Sequence, residues 1–305
     1  MKRALLTGAT GFIGAHALGA LRTRGFEVHA VGRRAPPDAD VTFHRADLLN
    51  AAEVTDVART VRASHLLHLA WYAEPGLYWR SPVNLDWVAA SLHLARAVAD
   101  AGGQRLVVAG TCAEYAWGAP RLVEGETPCA PATLYGTAKD ALHRLLAAFA
   151  ETGGLSLAWG RVFFLYGPGE KRGRLVSDTI AALLAGQPVQ TTHGRQRRDF
   201  LHVADVAAAF AALLDSDVRG PVNIASAAAV PVRDVLAAVA RAVGRDDLIQ
   251  YGARALPPGE PEVVEGSARR LTEELGFNPR FDLDGGIANT VAWWRNTAAR
   301  AAATA

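Results

Sequence analysis

The chain has 305 residues, half of them hydrophobic, which suits one large α/β domain or one domain with a smaller lobe attached. Charged residues make up 20% of it and nearly cancel, at a net charge of +2, so the basic excess of a nucleic-acid binder is missing. No run reaches the roughly 18 apolar residues of a membrane helix, and Cys112 and Cys129 have neither metal-ligand spacing nor the numbers for a disulfide framework.

The sequence opens Met1-Lys2-Arg3 and runs straight into an apolar strand, so there is no room for a signal peptide, and a reducing cytoplasm is the expected compartment. Hydrophobic periodicity then predicts, in chain order, a strand at 3–7, a helix at 12–24, strands at 27–31 and 41–44, and a helix at 51–62. A strand at 65–69, a long helix at 83–101, a strand at 105–109, a long helix at 133–151 and a strand at 156–161 follow. Strands alternating with helices mean an α/β fold, a doubly wound parallel sheet covered on both faces. After Tyr166 the rhythm breaks at the turn Gly167-Pro168-Gly169. Helices are expected at 175–185, 200–214, 232–243, 268–275 and 285–300, a strand at 222–225, a turn at 256–259, and a fraying Ala-rich tail after Trp294. Residues 1–165 with about 200–228 form one expected domain. Residues 166–199 with 229–305 form a smaller, discontinuous C-terminal lobe.

The first strand is followed by Thr7-Gly8-Ala9-Thr10-Gly11-Phe12-Ile13-Gly14. Glycines at this spacing permit a tight turn, a close approach to a pyrophosphate, and close packing of the next helix. The helix N-terminus then offers unpaired N–H groups to an anion. This is a Rossmann-type dinucleotide site, with Gly8, Gly11, Phe12, Ile13 and Gly14 around the cofactor. Strand two ends in Val31-Gly32-Arg33-Arg34, without the acidic residue that would hold a ribose hydroxyl. Two guanidiniums suit a 2′-phosphate, so Arg33 and Arg34 favour NADP(H) over NAD(H).

Tyr135 and Lys139 stand at i and i+4 and share one helix face. A phenol titrates near pH 10, and a nearby ammonium lowers that value. Tyr135 then serves as general acid or base in ketone reduction or alcohol oxidation. Thr111, at the carboxyl end of strand 105–109, is placed to hold the substrate oxygen.

These motifs resemble those of the extended short-chain dehydrogenase/reductases, in the NAD-dependent epimerase/dehydratase family that acts on nucleotide sugars. The resemblance runs nearly the length of the chain. It also rests on Ala46-Asp47-Leu48, His68-Leu69-Ala70, Tyr166-Gly167-Pro168-Gly169, the run from Arg197 to Val206, and Leu275-Gly276-Phe277. It implies that Asp47 and Leu48 meet the adenine, and that Leu69, Ala70, Trp71 and Phe163 line the cofactor cleft. Lys139 also holds the nicotinamide ribose, and Thr111, Tyr135 and Lys139 are catalytic. Trp71, Glu114, Arg174 and Arg198 are expected to face a nucleotide-sugar substrate. It also implies a homodimer through helices 83–101 and 133–151.

The pattern departs from the family after Thr111, where Cys112 and Ala113 replace the acid–base pair of the dehydratases. Dehydration is therefore not expected. Cys112 is expected to be a buried small residue. Phe164 and Pro257 or Pro258 replace polar residues that contact the nucleotide in relatives. His65, His68 and His202 sit in structural contexts, and no metal is expected. The first expected activity is NADPH-dependent reduction of a nucleotide-linked 4-keto-6-deoxy sugar. The second is a nucleotide-sugar 4-epimerase with tightly bound NAD. The third, a non-catalytic NADP-binding sensor, would have no use for both Tyr135 and Lys139.

Overall fold

The structure is a computed structural model that describes residues 2–37 and 40–304. Seven parallel strands form its main sheet, in the order β3-β2-β1-β4-β5-β6-β11. They are β1 (Lys2–Thr7), β2 (Phe26–Gly32), β3 (Thr42–Arg45), β4 (His65–His68), β5 (Arg105–Thr111), β6 (Ser156–Val162) and β11 (Gly220–Ile224). Every residue of β5 is buried, as a central strand covered on both faces requires. On one face α1 (Phe12–Thr23) packs against α6 (Val203–Leu214), with Leu18, Leu21, Val206 and Phe210 in the core. On the other lie α2 (Ala51–Val61), α3 (Val83–Asp100) and α4 (Leu134–Gly153), with Val54, Leu94, Leu142 and Leu146 beneath them. The winding reverses between β1 and β4, and ligands of such sheets bind in the crevice this opens at the carboxyl edge.

Between and beyond these come β7 (Phe164–Tyr166), α5 (Leu175–Leu184), β8 (Val189–Gln190), β9 (Arg197–Arg198) and β10 (Phe200–His202). After the last main strand come β12 (Val230–Pro231), α7 (Val232–Val243), β13 (Ile249–Gln250), β14 (Val263–Val264) and α8 (Leu283–Thr304). Helices α5, α7 and α8 share an apolar core of their own, built on Ile180, Val235, Val239, Ile287 and Val291. No helix among the described residues is long and apolar enough to cross a membrane.

Two expectations need correction. The helix predicted at 200–214 starts only at Val203, because Phe200–His202 pairs with Phe164–Tyr166 as a strand. The helix predicted at 268–275 is a single wide turn, Arg270–Glu274, closed by the bond from the Leu275 amide to the Arg270 carbonyl at 3.1 Å. The tail after Trp294 continues α8 to Thr304, as alanine's helix propensity favours. The two-residue strands escaped prediction because no periodicity can be read from two residues.

One buried carboxylate ties the small sheets to the main one. Asp199 is fully buried between β9 and β10. It accepts from the Ser226 amide and hydroxyl, each at 2.7 Å, from the Ala227 amide at 3.0 Å and from the Gly266 amide at 3.1 Å. Asp199→Ala strands four donors and is expected to cost about 3 kcal/mol or more of stability, read as a lower urea midpoint.

Candidate active site

The glycine loop leaves β1 at Gly8, whose φ is +75°. A Cβ on Gly14 would stand 2.0 Å from the Gly8 carbonyl oxygen, and one on Gly8 would stand 2.9 Å from the Ala70 nitrogen. Only glycine allows the loop, the first turn of α1 and the end of β4 to come this close. Gly11 caps α1 with no side chain on the helix end, so the first amides of the helix face the crevice unblocked. This cradle fits a dinucleotide pyrophosphate.

Beneath the loop, Thr7 Oγ1 accepts from the Leu69 and Ala70 amides at 3.2 and 3.1 Å. Its own proton therefore goes to His68 Nδ1, 2.7 Å away, and His68 Nε2–H donates to Ser91 Oγ at 2.8 Å. Burial holds His68 neutral, with its pKa lowered to about 3. The imidazole is thus a structural tie between β1, β4 and α3, in the role expected of it.

Tyr135 lies in the first turn of α4, capped by Thr133. A Cβ on the next residue, Gly136, would stand 2.4 Å from the Ala113 carbonyl, so glycine lets α4 close on the turn that carries Thr111. Tyr135 is walled by aromatic rings: Tyr78 at 4.8 Å, Trp79 at 5.7 Å and Trp71 at 6.5 Å between centroids. Lys139 is buried, and its Nζ donates to the Ala109 carbonyl at 2.8 Å.

Burial governs both groups. It pushes the Tyr135 phenol up, with Tyr78 adding to the rise and the Thr111 hydroxyl opposing it. Burial brings the Lys139 ammonium down to about 7, against a pull upward from Glu114. The expectation that Lys139 simply lowers the phenol is therefore corrected: desolvation of the phenolate is the largest influence on Tyr135, and it raises the pKa.

Other expected residues divide into two groups. Arg33 and Arg34 are exposed just past β2, and Asp47 and Leu48 follow β3 at the same edge. Leu69, Ala70 and Trp71 are half-buried past β4. Arg174, at the start of α5, lies over the Tyr78 ring at 5.2 Å.

Glu114 does not face a substrate. It is fully buried and caps the turn after β5 by accepting from the Thr111 amide at 2.8 Å. Trp159 Nε1 at 3.0 Å and Arg161 Nε at 2.7 Å occupy the rest of its carboxylate. Phe163 is also core, packed with Cys112, Tyr115 and Leu122, so its ring does not line the cleft. Arg198 is buried against the Phe164 ring and forms an ion pair with Glu260. Cys112 is buried as expected, its thiol pushed up to about 12. Sequence reasoning missed Asn84, which binds Trp71 Nε1 at 2.8 Å, because a lone Asn at a helix start reads as a cap. Among the described residues no group of three or more His, Cys, Asp or Glu is placed to hold a metal ion.

The model of the NAD dependent epimerase/dehydratase family matches residues 4–225. The chain belongs to this family. It is 28% identical to a UDP-glucose 4-epimerase of Azospirillum brasilense, over 96% of this chain and 92% of that protein. It is also 28% identical to a dTDP-4-dehydro-6-deoxy-D-allose reductase of Streptomyces bikiniensis, over 96% of each. Among solved structures, MoeE5 in complex with UDP-glucose and NAD matches with a TM-score of 0.83 and 33% identity, covering 97% of this chain and 99% of that one. The family member described here is therefore an enzyme of the short-chain dehydrogenase/reductase type, with the Rossmann-type sheet expected of it.

Two outcomes follow. Gly14→Ala drives a methyl into the Gly8 carbonyl and is expected to weaken nicotinamide dinucleotide binding by about tenfold or more, measured by fluorescence titration. Arg161→Met strands the buried Glu114 carboxylate and is expected to cost about 3–5 kcal/mol in denaturant unfolding.

Proposed function

We propose that the chain is a nucleotide-sugar 4-epimerase that keeps its NAD bound. One observation carries this reading: among the described residues Tyr135, with Lys139 on its own helix, is the candidate proton-transfer group beside the Thr111 hydroxyl. The two residues after Thr111 supply no second acid or base, since Cys112 is buried with its thiol raised to about 12 and Ala113 has no ionisable group. Epimerisation at C4 needs nothing more, because one phenol can serve both directions if the keto sugar turns over between them. The NAD in MoeE5 supports a retained NAD, and the Azospirillum relative supports epimerisation as the Streptomyces relative supports reduction.

Held on the cradle of Gly8, Gly11 and Gly14, NAD would supply hydride-transfer chemistry at C4. Thr111 donates a hydrogen bond to the C4 oxygen. Tyr135 takes the hydroxyl proton as the alcohol is oxidised and returns it when the ketone is reduced. Lys139 stabilises the phenolate while the proton is away. The aromatic wall excludes water from the pair. In this reading residues 166–199 with 229–305 form the substrate lobe, and Arg174 and Arg198 meet the nucleotide-sugar anion. Arg198 must exchange Glu260 for it.

One feature favours a second reading, NADPH-dependent reduction of a 4-keto-6-deoxy sugar. Arg33 and Arg34 stand exposed past β2, where a 2′-phosphate would lie. Releasing and identifying the cofactor of the purified protein separates the two. Retained NAD, with UDP-glucose converted to UDP-galactose and no net NADPH oxidation, is the expected result. NADPH consumption with a keto sugar would replace epimerisation by reduction. Tyr135→Phe is expected to lower kcat at least about 100-fold in either case.

The enzyme is also proposed to be cytoplasmic and homodimeric. Helices α3 and α4 pack side by side and expose Leu85 and Leu145, at 58% and 51%. Light scattering is expected to give twice the chain mass, and a monomer at micromolar concentration would end that part of the proposal.

A further inference from the structure

Lys139 carries a charge into the interior, where its exposure is 3%. An ammonium has three donors and no acceptor, and burying a charge is costly unless something offsets it. Its one hydrogen-bond acceptor among the described residues is the Ala109 carbonyl. The buried carboxylate that acts on it, Glu114, is bound by Arg161 instead.

The other group against the ammonium is an indole. Nζ lies 3.7 Å from the Trp71 ring centroid, well inside the ~6 Å reach of cation–π attraction. That indole is fixed in place. Its Nε1–H donates to Asn84 Oδ1 at 2.8 Å. Asn84 is fully buried in the first turn of α3, and its own amide donates to the Tyr78 and Ser81 carbonyls at 2.7 and 2.8 Å. Trp87, one turn later, packs against Trp71 at 6.0 Å. The same indole meets Tyr135 edge to face, at 69°. One side chain therefore touches both members of the acid–base pair.

We propose that Trp71 is a positioning residue for this pair: its face holds the Lys139 ammonium where a counter-ion would otherwise be needed, and Asn84 locks the indole there. This rests on Lys139 being the cationic partner of Tyr135, and holds for epimerisation and reduction alike. The titratable groups that interact with the ammonium are His68 at the end of β4 and Glu114 from the turn after β5. His68 is neutral, and Glu114 favours the charged lysine. The indole quadrupole also favours the charged form. A saturated side chain of similar bulk is thus expected to let the proton leave about one pH unit lower.

The chain has three lysines, Lys2, Lys139 and Lys171, so carbon-13 NMR of labelled lysine side chains can resolve each. In the native protein the Lys139 ε-methylene is expected upfield of that of exposed Lys171, displaced by the indole ring current, and titrating near pH 7. Trp71→Leu is expected to remove the displacement and move the titration down by about one unit. Trp71→Phe restores part of both, and the alkaline limb of kcat/KM moves with them. A native Lys139 signal without displacement overturns the proposal and needs no variant. So does a Trp71→Leu titration that stays in place or moves up. A displaced, shifting Lys139 in a protein that turns over no nucleotide sugar would instead overturn the functional reading alone.

Discussion

Three parallel strands end at one edge of the sheet, and the site depends on that coincidence. β1 ends at the glycine loop, β4 runs out into Leu69, Ala70 and Trp71, and β5 ends on Thr111. Because β1 lies between β2 and β4, the chain leaves β1 toward one face and leaves β4 and β5 toward the other. The crevice between them is a product of topology, and it is lined by backbone amides on one side and by the Tyr135 pair on the other. The close contacts at Gly8, Gly14 and Gly136 hold its walls together.

Within that crevice desolvation sets the chemistry. The same burial that excludes water raises the phenol and lowers the ammonium, bringing Lys139 to about 7. In the proposed mechanism a lysine so placed stabilises a phenolate without holding it permanently. The surrounding groups keep the balance narrow. His68 stays neutral, Glu114 is bound to Arg161, and Trp71 offers a face and not a charge.

The parts legible in the sequence were those with a short-range signature. The main strands and helices follow from periodicity, and the glycine loop and the Tyr135–Lys139 spacing follow from local geometry. What stayed hidden depends on residues far apart in the chain. Glu114 reads as a polar residue beside a catalytic threonine, yet Trp159 and Arg161 of β6 draw it into the core. Arg198 reads as a free cation, yet Glu260, 62 residues later, neutralises it. Phe200–His202 continues a helical pattern, yet its partner Phe164–Tyr166 makes it a strand. Asn84 shows its purpose only when Trp71 and Tyr78 are brought to it.

The proposed epimerisation requires that the hydride taken from C4 returns to the same carbon, with no exchange to solvent. UDP-glucose carrying deuterium at C4 tests it most directly. The expected product is UDP-galactose that retains the deuterium at C4, with a primary isotope effect on turnover. Product that has lost the label from C4, or a label found at a neighbouring carbon, would contradict it.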